Sequence, residues 1–100
     1  MKVIIDLTIV PIGVGVSLSK YVAACEEILN QTDLKTALHA NGTNIEGEWD
    51  EVFAAVKACH EKVHEMGAPR IHTNIKLGTR IDKTQSLEDK VNSVEAKLNR

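Results

Sequence analysis

The sequence predicts an α+β sandwich, a four-stranded antiparallel sheet covered by helices on one face, with a further helix at the C-terminal end. Three observations predict it. Residues 2–10, 34–39 and 70–77 alternate in the period of two that sends successive side chains to opposite faces of a strand. Two longer stretches, ending near Asn30 and near Gly67, carry apolar residues at helical spacing. Between the helices, Asn41-Gly42 is the dipeptide best suited to a tight hairpin, because both positions tolerate positive φ. The resulting order, β-α-β-β-α-β-α, is that of the split-βαβ, ferredoxin-like βαββαβ sandwich with one added helix.

In the first strand Val3, Ile5, Leu7 and Ile9 share one face, and Ile4, Asp6, Thr8 and Val10 share the other. Pro11-Ile12-Gly13-Val14-Gly15 ends it. Ser17 and Ser19 are both candidate N-caps, since a hydroxyl accepts from an orphan helix N–H. The first helix then buries Tyr21, Val22, Cys25, Ile28 and Leu29. Leu34, Thr36 and Leu38 line one face of the second strand. The chain reverses at Asn41-Gly42 into a short strand from Thr43 to about Gly47.

A second helix begins near Trp49, with Asp50 and Glu51 in its first turn where the helix dipole favours them. Its stripe is Val52, Phe53, Val56, Cys59, His60 and Val63. Gly67 is a natural left-handed stop, and Pro69 prevents continuation. In the last strand Ile71, Thr73, Ile75 and Leu77 face inward. Ser86 and Asp89 have the spacing of a capping box before a helix carrying Leu87, Val91, Val94 and Leu98.

Both crossover helices belong on one face of the sheet. The other face then carries Ile4, Thr8, Val10, Ala37, His39, Glu46, His72, Asn74 and Lys76. A mixed face of that kind suits burial against another subunit's sheet, so an oligomer is expected.

At 100 residues the chain is read as one domain, 1–100. Its 43% apolar and 26% charged content fits a soluble globular protein. A net charge of −2 without a basic block argues against a nucleic-acid partner. No apolar run approaches the roughly 18 residues of a membrane span. Cys25 and Cys59 fall within helices, which suits buried reduced thiols and a cytoplasmic location. Asn30-Gln31-Thr32 and Asn41-Gly42-Thr43 match the glycosylation sequon and, without a secretion signal, are read as chance.

Several motifs bear on chemistry. His60-Glu61-Lys62-Val63-His64 has H-E-x-x-H spacing, but His60 lies on the core stripe and no third ligand stands out, so neither a metal nor a zinc protease is expected. Gly13-x-Gly15 lacks the third glycine of a dinucleotide fingerprint, and the next two strands form a hairpin where that fold needs a crossover. Nothing adjacent to either cysteine marks a nucleophile, and no cofactor or catalytic role is assigned. Arg80, Asp82 and Lys83 form a charged turn, read as a solvated loop, a phosphate clamp or an interface pair. Glu46 and Glu48 share a face at a tight corner, where they can attract a metal or an organic ammonium. Trp49 beside them can stack on a planar cationic ring.

The chain resembles the small thiamine-binding-protein family. The resemblance rests on Pro11-Ile12-Gly13 with Ser17-x-Ser19-x-x-Val22, on Gly42-Thr43-x-Ile45-Glu46-Gly47 followed by Trp49, and on Gly67-x-Pro69-Arg70. Thr73-x-Ile75-Lys76, Gly78-Thr79-Arg80-x-Asp82-Lys83 and Lys90-Val91-x-Ser93-Val94 complete it, nearly end to end. It implies a ferredoxin-like fold, a cytosolic homotetramer of paired dimers meeting through sheet faces, and a non-enzymatic protein binding thiamine or its pyrimidine part. It carries Thr43, Glu46 and the Ser17–Ser19 segment over as ligand contacts. Thiamine joins a thiazolium cation to an aminopyrimidine, so a carboxylate, a hydroxyl and an aromatic wall are the matching groups. Glu46, Glu48, Trp49 and the two serines supply them. The alternative is an oligomeric scaffold or regulatory module that binds another metabolite.

Overall fold

The computed structural model describes residues 1–98, so the last two positions of the expected domain lie outside the described residues. The elements are β1 (Lys2–Ile12), α1 (Ser19–Asn30), β2 (Lys35–His39), β3 (Gly42–Glu48), α2 (Trp49–Glu65), β4 (Arg70–Gly78) and α3 (Leu87–Leu98). The sheet order is β2-β3-β1-β4, with every neighbouring pair antiparallel. The fold is therefore the ferredoxin-like α+β sandwich, with α3 as the added helix.

The period of two decides the core. Val3, Ile5 and Leu7 of β1 and Ile45 of β3 are buried, with Ile5 directly opposite Ile45. Tyr21, Cys25 and Leu29 of α1 and Val52, Val56, Cys59 and Val63 of α2 close over them. β1 runs further than its proline suggests, pairing Pro11 with Ile71 and Ile12 with Arg70. The described β3 register stops at Leu7 opposite Thr43, so β1 is an edge strand beyond that point and tolerates a residue without an N–H.

Local chemistry departs from expectation at three places. The hairpin loop is Ala40-Asn41, because His39 already pairs with Gly42. Neither Asn41 nor Gly42 has positive φ, so this is not the mirror-image turn expected of Asn-Gly. Here Thr8 donates to the Asn41 carbonyl at 2.8 Å, and the Asn41 N–H donates to His39 Nδ1 at 3.3 Å. Glycine is required at 42 for a different reason. A Cβ there would stand 2.8 Å from the Leu7 carbonyl oxygen, which is backbone and does not move aside. At α1, neither Ser17 nor Ser19 caps the helix. Leu18 holds the N-cap position with near-helical dihedrals and no side-chain cap, and Ser19 is already the first helical residue.

Third, Leu38 and Leu77 lie 62% and 42% exposed although their alternation aims them at the helices. Leu38 is near the tip of the edge hairpin, where α1 leaves the sheet uncovered.

The end of α2 and the start of α3 follow the expected chemistry. Gly67, with φ 106°, stops α2, and its N–H donates to the His64 carbonyl at 3.0 Å. Ser86 and Asp89 form the reciprocal box, at 2.9 and 3.1 Å. α3 meets the second face of the sheet through its first turn. The Leu87 N–H donates to Glu46 Oε1 at 2.6 Å, and Lys35 Nζ lies 2.6 Å from Glu88 Oε2. Beyond it Val91, Val94 and Leu98 are each 59% exposed.

Candidate functional site

The gap left by α1 is a cavity of about 260 Å³ between that helix, β1 and the β2–β3 hairpin. Leu7, Tyr21, Leu29 and Leu38 make its apolar walls, and Glu26 and Thr43 bring polar atoms to it. Thr43 is buried, and its hydroxyl donates to Glu26 Oε2 at 3.0 Å. A carboxylate with one oxygen held by a buried hydroxyl keeps acceptor capacity for a ligand. Glu26 is the residue that sequence reasoning missed. It follows Cys25 and lies four residues after Val22, at the border of the buried stripe, where it reads as ordinary helix surface.

Cys25 also reaches this cavity. Cys59 Sγ lies 3.8 Å from the Cys25 carbonyl oxygen, and both cysteines are free and buried. The Cys25 side chain, reinforced by burial, pushes the Cys59 thiol above the ordinary thiol range, so Cys59 stays protonated.

The other expected contacts lie elsewhere. Ser17 and Ser19 are exposed and stand outside the lining of this cavity. Glu46 points to the opposite face of β3 from Thr43, where it accepts from Leu87 and lies 3.4 Å from Lys2 Nζ. Glu48 is exposed and pairs with the N-terminal ammonium at 2.9 Å. Trp49 is 40% exposed and leans on Phe53, the ring centroids 4.9 Å apart. Glu48, Trp49, Asp50 and Met1 border a wide, open recess. The corner thus brings Glu48 and Trp49 together, while Thr43 and Glu46 are separated by the sheet.

His60 and His64 are occupied structurally. His60 Nε2 lies 2.6 Å from Thr73 Oγ1, and His64 Nδ1 lies 2.8 Å from the Ala68 carbonyl oxygen. Among the described residues no three His, Cys, Asp or Glu side chains gather to hold a metal. Burial, and secondarily the neighbouring His64, lower the His60 pKa. The unfolded chain therefore binds a proton at this site more readily than the folded chain. The stability that His60 contributes is complete above the ordinary imidazole range and is lost as pH falls through the folded-state value. Denaturation midpoints followed from about pH 8 to about pH 5 are expected to drop less in His60→Gln than in the parent. Parallel curves would contradict this.

The sequence profile described as thiamine-binding protein matches residues 5–95. The chain belongs to the thiamine-binding protein family. Among relatives in this family, a UPF0045 protein of Synechocystis is 60% identical over 98 residues, covering 98% of this chain and 81% of its own. A UPF0045 protein of Bacillus subtilis is 40% identical over 100 residues, covering 95% and 96%. The crystal structure of a Methanocaldococcus jannaschii protein superposes with a TM-score of 0.88 at 35% identity, over 94% of this chain and 96% of that one. A Thermotoga maritima protein named for a proposed role in thiamine biosynthesis or salvage superposes at 0.80 with 20% identity, over 94% and 99%, a likeness of fold alone. Among the described residues of this family member, no helix is long and apolar enough to cross a membrane.

Proposed function

We propose that the protein binds thiamine, or a related pyrimidine or thiazolium metabolite, in the cavity between α1 and the β2–β3 hairpin. It acts there as a carrier, buffer or sensor and carries out no reaction. The observation that supports this reading best is the Glu26–Thr43 pair set in an otherwise largely apolar wall. A flat cation gains from a carboxylate set beside apolar walls, and an exocyclic amino group gains from the free carboxylate oxygen. Family membership points to the same ligand class. The free, buried cysteines suit a cytoplasmic setting.

The expected assembly is a homotetramer, a dimer of dimers. The unpartnered face of the sheet and the exposed stripe of α3 supply surface for it. That stripe also favours a second reading, an oligomeric scaffold or regulatory module that takes another metabolite. Native mass spectrometry of gently purified protein separates the two, since the second reading expects a co-purifying ligand other than thiamine.

Calorimetric titration with thiamine tests the first reading. Binding is expected to saturate, and Glu26→Gln to weaken it by about tenfold or more through loss of one charge-assisted contact. Glu46→Gln, altering a carboxylate on the other face, is expected to leave it unchanged. Absence of heat at about millimolar thiamine, a −4 kcal/mol affinity limit, would remove the proposal. Equal losses in both variants would move the site. Trp49, the only tryptophan, adds an optical check, because a ligand in the α1 cavity leaves its fluorescence alone and one at the corner quenches it.

A further inference from the structure

The loop after β4 folds back over the start of β1 on the face of the sheet away from α1 and α2. It encloses a second cavity of about 170 Å³. Lys2, Arg80, Lys83 and Lys90 line it, joined by the hydroxyl residues Thr79 and Thr84, and no carboxylate residue does. Asp82, Asp89, Glu88 and Glu46 are each engaged. Asp82 holds Arg80 through two bonds of 2.6 and 2.8 Å, and Gln85 Oε1 accepts from the same guanidinium at 3.0 Å. Asp89 caps Ser86, Glu88 takes Lys35, and Glu46 takes the Leu87 N–H and Lys2.

Among the described residues neither Lys83 nor Lys90 forms an ion pair. Placing these two lysines beside the paired Lys2 and Arg80 is unfavourable unless something negative joins them. The bracing of Arg80 sets the loop in advance, so a ligand need not order it.

We infer that this cavity is a binding site for a phosphate or diphosphate group. Such a group is multiply charged and presents several acceptor oxygens. Those suit ammonium and guanidinium donors, with threonine hydroxyls completing the shell. The site is on the opposite side of the sheet from the Glu26–Thr43 cavity, so it stands independently of the thiamine reading. The group can arrive as a free inorganic anion or as the end of an organic ester, and both present the same oxygens.

The test is titration of phosphate-free protein, at constant ionic strength, with inorganic diphosphate, inorganic phosphate and glycerol phosphate. Saturable binding of at least one of them is expected. The double variant Lys83→Gln with Lys90→Gln is expected to weaken it by about tenfold or more. Lys57→Gln, on α2 and remote from the cavity, and Glu26→Gln are expected to leave it unchanged. Both exchanges in the double variant are at exposed positions, and its circular dichroism should match the parent. Tight binding of inorganic anions identifies a free-anion site, and binding of the ester alone identifies an ester site. Either supports the inference. A response that does not saturate, or one lowered as much by Lys57→Gln as by the double variant, overturns it.

Discussion

Ile45→Ala is expected to lower the free energy of unfolding by about 2–5 kcal/mol. Ile45 is fully buried at the middle of β3, with Ile5 opposite it on β1 and Thr36 opposite it on β2. Truncation removes apolar surface from a position walled by strands on both sides and a helical layer above, where little can move in to fill the space. A domain of this size has a total stability of about 5–15 kcal/mol, so the loss is a large share of it. Urea denaturation should show a lower midpoint with an unchanged slope. A loss below about 1 kcal/mol would mean that the site collapses freely, contrary to the packing described.

Pairing Val91→Asp with Val94→Asp is expected to break the assembly into single subunits. Both valines are 59% exposed within one chain, so their replacement removes little from the core. In an assembly they would be covered, and a stable interface of the standard kind buries roughly 1,200–2,000 Å² in total. Two carboxylates in its apolar centre would lack partners and would cost more than such an interface supplies. Sedimentation should show one large species for the parent and a single chain for the variant, with similar circular dichroism. A parent that sediments as a lone subunit, or a variant that assembles like the parent, would contradict the proposed tetramer.

The strands were legible because burial on one face imposes the alternation directly. Val3, Ile5 and Leu7 could be assigned inward, and their neighbours outward, from the pattern alone. The stop at Gly67 and the Ser86–Asp89 box were legible because both act within a few residues of chain. The hairpin turn was legible in place but not in type. Its conformation is tied to Thr8 and to the Leu7 carbonyl, both more than thirty residues away.

Site residues were harder for the same reason. Thr43 and Glu46 read as neighbours on one short strand, yet the pleat sends them to opposite sides of the sheet. Glu46 then meets the start of α3, a contact 41 residues distant that no local pattern encodes. Glu26 becomes notable only when the hairpin is laid beside α1 and Thr43 reaches it.

The central claim is that the cavity between α1 and the hairpin holds the ligand. Backbone amide shifts of isotopically labelled protein, followed by nuclear magnetic resonance during addition of thiamine, test it most directly. The account predicts saturating shifts across residues 21–29 and 38–43, with the amides of Glu48, Trp49 and Asp50 unmoved. Shifts confined to those three residues, or no shifts at all, would contradict it.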